Sequence, residues 1–176
     1  MNKKLLMDHL RCIPDFPKKG INFRDVTTLY KDAACMQEMV NEMYELYKDK
    51  GITKIVGIES RGFIMASALA IKLGAGVVLA RKPGKLPSTV IKESFSKEYG
   101  VDTIEMHLDS IDEDDVVLIH DDLLATGGTA KATYKLVKHF NPKQIYINFI
   151  IEILDEGLHG RDEFDGLCEV TTLMTI

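Results

Sequence analysis

Val116-Val117-Leu118-Ile119-His120-Asp121-Asp122-Leu123-Leu124-Ala125-Thr126-Gly127-Gly128-Thr129 is the stretch on which the reading of this chain turns. An apolar run of buried-strand character ends in two adjacent carboxylates. A short loop of Thr, Gly and Gly follows, and then an amphipathic helix predicted from about Thr129 to Phe140. Strand, acids, small-residue loop and helix is the order in which an α/β protein builds a site for a phosphorylated sugar.

The physical reasons are local. Glycines lack a Cβ, so the loop can adopt positive φ and turn its N–H groups inward. The helix that follows adds unsatisfied N–H donors and the positive end of its dipole. Together they form a concave anion site, and the hydroxyls of Thr126 and Thr129 add donors. Ala125, Thr126, Gly127, Gly128 and Thr129 are therefore the candidate phosphate-binding residues. Asp121 and Asp122 are acceptors only, which suits sugar hydroxyls or the water shell of a metal. Successive strand residues face opposite sides, so one of the two acids is expected to point at ligand. The competing reading is an ordinary βα turn with solvated acids. The string Asp-Asp-Leu-Leu-Ala-Thr-Gly-Gly-Thr resembles the phosphoribosyl pyrophosphate signature of the type I phosphoribosyltransferases, and within them the adenine-specific family.

Working outward, the chain has 176 residues, 45% hydrophobic and 28% charged, the composition of a globular protein. Its length fits one domain spanning 1–176. A net charge of −5 argues against non-specific nucleic-acid binding, which depends on neutralising phosphates. No run approaches the ~20 apolar residues of a membrane span. Lys3 and Lys4 are followed by Asp8, His9 and Arg11, so the N-terminus does not read as a signal peptide. Cys12, Cys35 and Cys168 are odd in number and far apart, which fits a reduced cytoplasm. Neither the cysteines nor the five histidines show a metal-binding spacing.

Upstream, Lys3 to Ile13 is predicted as a short amphipathic helix, halted by Pro14. Pro14-Asp15-Phe16-Pro17-Lys18-Lys19-Gly20 is loop chemistry, and Ile21 to Thr27 has no clear period. Asp32 to Asp49 carries apolar residues at helical spacing, with Asp32 as N-cap and Gly51 as stop. Lys54 to Glu59 is predicted as a strand, Glu59-Ser60-Arg61-Gly62 as a turn, and Phe63 to Leu73 as a helix ended by Gly74. Gly57 and Gly62 have Walker A spacing, but Phe63 and Ile64 replace its Lys and Ser/Thr, which excludes a P-loop. A loop with Ser60 and Arg61 at a helix N-terminus remains a second anion site, or a plain strand-to-helix turn. After a strand at Val77 to Ala80, Arg81, Lys82 and Lys85 surround a Pro-Gly turn. Three cations there are either a solvated face or contacts to a polyanion.

Residues 88–108 suggest a hairpin with a long, mobile excursion, since Ile104, Met106 and Leu108 alternate with Glu105 and His107. Such an excursion suits a lid. Asn141-Pro142 stops the helix after the opening stretch. Gln144 to Ile151 is then a strand, Asp155 to Arg161 a short helical or loop piece, and Glu169 to Leu173 a last strand. Strands alternating with helices imply an α/β domain with a mainly parallel sheet flanked by helices, whose anion loops gather at its carboxyl edge.

The resemblance extends from Pro14 to about Arg161. Pro-Asp-Phe-Pro…Gly-Ile-Asn-Phe-Arg-Asp is similar to the family's adenine-binding hood, which implies base contacts from Asn22, Phe23 and Arg24 within a segment of about 1–31. Ile153 is implied to pack on the opposite face of the base from Phe23. Glu-Ser-Arg-Gly-Phe and Arg-Lys-x-Gly-Lys-Leu-Pro are similar to its pyrophosphate loops, implying Ser60, Arg61, Arg81, Lys82 and Lys85, with Tyr99 of the lid. Glu98, in the Glu-Tyr-Gly string, is implied as a catalytic acidic residue near the base, beside Asp121 and Asp122. The resemblance further implies transfer of phosphoribosyl to adenine to give AMP, Mg²⁺ held mainly by the substrate with Asp121 or Asp122 reaching it, and a cytoplasmic homodimer in purine salvage. Another purine base, or a sensor of phosphoribosyl pyrophosphate, are the alternatives. Asn22 stands where the family often has an aliphatic residue and His120 where an apolar one is usual, and the chain ends soon after its last strand. Substitutions Asp122→Asn and Gly128→Val are expected to cripple turnover.

Overall fold

A computed structural model describes residues 2–97, 100–154 and 157–176. Five parallel strands form the centre: β3 (Lys54–Ile58), β4 (Gly76–Ala80), β7 (Val116–Leu124), β8 (Gln144–Glu152) and β9 (Glu169–Thr175), in the spatial order β4-β3-β7-β8-β9. Two antiparallel pairs stand apart: β1 (Arg11–Ile13) with β2 (Phe23–Asp25), and β5 (Val90–Lys97) with β6 (Gly100–His107). The helices are α1 (Lys3–His9), α2 (Thr27–Tyr30), α3 (Ala33–Tyr47), α4 (Gly62–Leu73) and α5 (Gly128–His139).

Strand alternation divides the core. On β7, Leu118 packs with α3 and α4 through Met39, Met43, Met65 and Leu69, while Val117 and Ile119 face the opposite layer with Ala132, Leu136 and Val137 of α5. Near-continuous apolar strands are what a sheet covered on both faces requires. Each fully buried Leu or Ile of these layers contributes roughly 1.5–3 kcal/mol of transfer free energy. Asp32 caps α3 by accepting the Cys35 N–H at 2.9 Å, and Gly74 closes α4 at φ +70°.

Four expectations need correction. The N-terminal helix ends at His9, because Arg11, Cys12 and Ile13 pair with Asp25, Arg24 and Phe23, and Arg11 Nε donates to the Asp25 carboxylate at 3.0 Å. The opening strand does not stop at the acids but runs on to Leu124, held by β8 through Leu124↔Glu152. The excursion expected from Val90 to Gly100 is strand as far as the ladder pair Lys97↔Gly100, and its tip lies outside the described residues. Finally, Glu105 is buried and Leu108 exposed, the reverse of simple alternation. Glu105 accepts the Gly84 N–H at 3.1 Å, and its backbone pairs with Arg81.

One buried polar row crosses the sheet at a single register, Gly57–His120–Asn148–Thr171. His120 Nδ1 donates to Asn148 Oδ1 at 3.0 Å, Asn148 Nδ2 to Thr171 Oγ1 at 2.8 Å, and Tyr47 OH lies 2.6 Å from that hydroxyl. This is how a histidine is accommodated inside an apolar strand. Burial pushes the His120 pKa down to about 4, against 6.5 for an ordinary histidine. The unfolded chain therefore binds the extra proton between those values, and stability is lost as pH falls from 6.5 towards 4. The expected contribution is on the order of 3 kcal/mol. Urea unfolding of wild type and His120→Gln across that range tests it, and equal pH slopes in the two would refute it.

Candidate active site

Three loops meet at the carboxyl edge of the sheet. The first joins β7 to α5. Gly127 is the N-cap of α5 at φ +79°, and no side chain caps this helix, so its first-turn N–H groups face outward. Asp121, Ala125, Thr126, Gly127, Gly128, Thr129 and Phe149 are among the residues lining an open cavity of about 120 Å³. All five expected phosphate ligands thus share one concave surface with one of the two acids.

A Cβ on Gly127 would stand 2.6 Å from Gly160 O, and one on Gly160 would stand 2.3 Å from Ala125 O. The loop is therefore braced from behind by the 3₁₀ turn Gly160–Phe164. That turn is fixed in place by Arg161, which donates Nε to Glu152 Oε1 at 2.8 Å and Nη1 to Val170 O at 2.8 Å. Hydrogen bonding from Arg161 holds the buried Glu152 carboxyl below its usual pKa. Sequence reading missed this brace; only the juxtaposition of His-Gly-Arg with the end of a strand hinted at it.

The second loop joins β3 to α4. Asp122 is 2% exposed, and its Oδ2 lies 2.7 Å from Arg61 Nε. That oxygen lacks an aligned donor among the described residues, so the approach is a charge pair rather than a directed hydrogen bond. Asp121 Oδ1 accepts the Asp122 N–H at 2.9 Å. Desolvation, and then the charge of Asp122, push the Asp121 pKa well above the carboxylate range. Desolvation also raises Asp122, while Arg61 opposes it. The two acids divide as strand geometry requires: Asp121 lines the cavity, and Asp122 faces Arg61. The phenol of Tyr30, unremarked in the sequence, reaches Arg61 O at 3.5 Å. Burial and the two acids raise its pKa.

The third loop carries the cations. Arg81 Nε donates to Glu59 Oε2 at 3.3 Å and its Nη1 to Lys85 O at 3.1 Å, while Lys82 N–H donates to Glu59 Oε2 at 2.8 Å. Burial opposes it, but these donors hold the Glu59 carboxyl below its usual pKa. Arg81 therefore braces the loop, while Lys82 and Lys85 are exposed beside Ser60 and Arg61's turn. Glu59 was read only as part of a turn; its acidic side chain next to a cationic loop was the available signal.

The hood comes to the same edge. Phe23 packs edge-on against Phe16 at 5.3 Å and lies 5.7 Å from the Arg61 guanidinium carbon. A phosphoribosyl transferase domain profile matches residues 25–167. The adenine phosphoribosyltransferase of Phocaeicola vulgatus is 61% identical over 176 residues, covering 100% of both chains.

This chain belongs to the adenine phosphoribosyltransferase family.

Solved members of the family agree in fold. The Giardia lamblia enzyme, determined with 9-deazaadenine, matches at a TM-score of 0.93 and 41% identity over 100% of this chain and 98% of that one. The Saccharomyces cerevisiae enzyme, determined with an imino-altritol bisphosphate and adenine, matches at 0.88 and 36% identity over 97% of each. Within this family frame the residues expected to hold the base differ in their surroundings. Asn22 is exposed and Arg24 Nη1 donates to Cys12 Sγ at 2.7 Å. Ile153 joins the apolar layer of α3 and α4 and donates its N–H to Leu124 O at 2.9 Å. Glu98 and Tyr99 lie outside the described residues. The strand leading to them is placed, however: a Cβ on Gly128 would meet Phe95 Cδ2 at 3.3 Å, and Lys135 Nζ donates to Glu93 at 2.8 Å. The hairpin thus lies across the N-terminus of α5. Among the described residues, no helix is long and apolar enough to cross a membrane.

Proposed function

We propose that this chain transfers the 5-phosphoribosyl group from phosphoribosyl pyrophosphate to adenine, giving AMP and pyrophosphate in purine salvage. The observation that carries the reading is the convergence, at one sheet edge, of the uncapped α5 loop, the Asp121–Asp122–Arg61 cluster and the hood's Phe23. The 5′-phosphate sits in the loop Ala125–Thr129, with its oxygens on backbone N–H groups and on the hydroxyls of Thr126 and Thr129. The bond from ribose C1 to the pyrophosphate oxygen breaks, and that oxygen keeps the electron pair. Adenine N9 forms the new bond and gives its proton to an acceptor, for which Glu98 is the candidate.

Positive charge builds on the ribose ring near the carboxylates of Asp121 and Asp122, while Ser60, Arg61, Lys82, Lys85 and Tyr99 meet the departing anion. Arg81 orders this group through Glu59. Most of the rate enhancement comes from positioning and electrostatics. The unsatisfied Asp122 Oδ2 and the cavity-lining Asp121 are acceptors that fit sugar hydroxyls and metal-bound water, so Mg²⁺ carried by the substrate fits here. Such an ion neutralises charge on the leaving group. Phe23 is the base-stacking residue, with Asn22 and Arg24 at its edge; Ile153 serves the core first.

A cytoplasmic homodimer is the proposed form. Ile64 and Ile71 of α4, the latter 85% exposed, are solvent-facing, as are Val77 and Leu79 on the edge strand β4. These give an apolar surface suited to a second copy. Size-exclusion chromatography with light scattering reports this directly.

The activity is tested by turnover of phosphoribosyl pyrophosphate with adenine, hypoxanthine, guanine, xanthine or no base, first with Mg²⁺ and then with EDTA. AMP formed with adenine, and abolished by EDTA, is the expected result. Turnover with a different base overturns the purine, and tight binding without turnover on any base makes the chain a sensor.

A further inference from the structure

Outside the three loops of the sheet edge, three potential metal ligands converge from two helices. His9 closes α1, Asp32 caps α3, and Cys35 lies in the first turn of α3. One imidazole nitrogen, one carboxylate oxygen and the thiol sulfur all lie within 4.8 Å of one another. The separation of His9 from Asp32-Ala33-Ala34-Cys35 in the chain is why no sequence spacing announced the cluster. We propose that His9, Asp32 and Cys35 form a binding site for a zinc-like divalent ion that clamps the N-terminal segment to the body of the protein.

The geometry of each donor supports coordination. His9 Nδ1 donates to Leu5 O at 2.9 Å, which fixes the tautomer and leaves the Nε2 lone pair available. A backbone carbonyl on the second ring nitrogen is how metal-binding imidazoles are commonly oriented. That Nε2 is 3.8 Å from Asp32 Oδ2. Asp32 Oδ1 is engaged by the Cys35 N–H, so Oδ2 is the oxygen left for a metal. Cys35 is fully buried and supplies a sulfur from the core side.

A tetrahedral zinc with bond lengths near 2.0–2.3 Å needs ligand-to-ligand edges of about 3.3–3.7 Å. The present spread, up to 4.8 Å, requires closure by at most about 1.5 Å. The side chains of His9 and Asp32 are 42% and 35% exposed and can supply that movement. One sulfur, one nitrogen and one oxygen donor suit zinc and related transition metals and disfavour magnesium or calcium. On binding, the Cys35 S–H bond breaks, its proton passes to buffer, and the sulfur–metal bond forms.

The consequence reaches the hood. The chain runs from His9 through Leu10 directly into β1, which pairs with β2 and so with Phe23. Without metal the segment is held by the Asn2 N–H on the Glu38 carboxylate, the Arg11 N–H on Thr28 Oγ1, the Arg11–Asp25 pair and the packing of Leu5, Leu6 and Leu10. A metal bond across α1 and α3 fixes the start of the base-binding segment.

The test is Co²⁺ titration of the chelator-treated full chain, followed by absorbance and by thermal unfolding. One equivalent per chain should bind, with the near-ultraviolet charge-transfer band of a cobalt thiolate. The band should vanish in Cys35→Ser, and affinity should fall at least tenfold in His9→Gln, a change at a half-exposed ring that leaves the core intact. Zn²⁺ should displace cobalt and raise the melting temperature of wild type but not of His9→Gln. Absence of the band, a band undiminished in Cys35→Ser, or unchanged affinity in His9→Gln overturns the site.

Discussion

Gly127→Val is expected to lower kcat/KM for phosphoribosyl pyrophosphate at least about 10²-fold, the scale on which small misplacements of a bound reactant act. Gly127 sits at φ +79°, where a β-branched residue is strained, and its added Cβ would lie 2.6 Å from Gly160 O. Neither contact can relax cheaply, because Gly160 itself packs on Ala125 O and is anchored through Arg161 to Glu152. The N-cap must shift, and the N–H groups proposed to hold the 5′-phosphate shift with it. Gly128 is different. It has no positive φ, and its Cβ would meet the Phe95 ring at 3.3 Å. Gly128→Ala should therefore cost less than tenfold, with the hairpin yielding, and Gly128→Val acts on the hairpin's Phe95 rather than on the loop backbone. This moves the conformational demand one residue from where the sequence alone suggested. Steady-state kinetics of the two variants, with calorimetric titration of inorganic phosphate, decide the matter. A Gly127→Val protein with wild-type kcat/KM would remove the loop from the site.

The parts legible in the sequence were those set by local chemistry. The alternation of apolar strands and amphipathic helices, the Asp32 cap, the Gly74 stop and the Thr-Gly-Gly loop each carry their conformation in a few neighbouring residues. What stayed hidden depends on distant partners. Arg11 to Ile13 has too weak a period to outcompete helix, and becomes a strand because Phe23 to Asp25 offers a ladder. Glu105 looks like a surface residue until the Gly84 loop is folded over it. His120 breaks an apolar run for no local reason, and only Asn148, Thr171 and Tyr47 from three other elements explain it. The same holds for the site. The acids and the β7–α5 loop are one contiguous stretch, so their grouping could be read directly, whereas the braces Glu59, Gly160 and Arg161 act through tertiary contacts. Arg81, grouped with Lys82 and Lys85 by sequence, is separated from them by its pairing with Glu59.

Asp121→Asn should produce opposite effects on function and stability. In the ligand-free protein Asp121 is half-buried beside the fully buried Asp122, with the Arg61 guanidinium beside the pair. Because desolvation and the neighbouring charge raise its folded pKa above the usual 3.8, the folded state binds the proton more tightly than the unfolded chain does. Its contribution is most favourable at low pH and is lost as pH rises from 3.8 through the folded pKa. At neutral pH an asparagine removes that penalty while keeping the shape and an acceptor for the Asp122 N–H. Ligand-free Asp121→Asn is therefore expected to melt roughly 2–4 °C higher than wild type at pH 7, as a gain of about 1 kcal/mol gives for a chain of this size. Turnover should fall about 10²–10³-fold, because the charge facing the developing positive ribose is gone. His120 titrates with the opposite sign in an overlapping window, so the informative quantity is the difference between wild type and variant at each pH, in which His120 cancels. Calorimetric melting from pH 4 to 8 beside single-turnover kinetics separates the two effects. A variant less stable than wild type at pH 7 would mean that the carboxylate is held by interactions stronger than its desolvation. Undiminished turnover would mean that Asp122 and Arg61 carry the ribose without it.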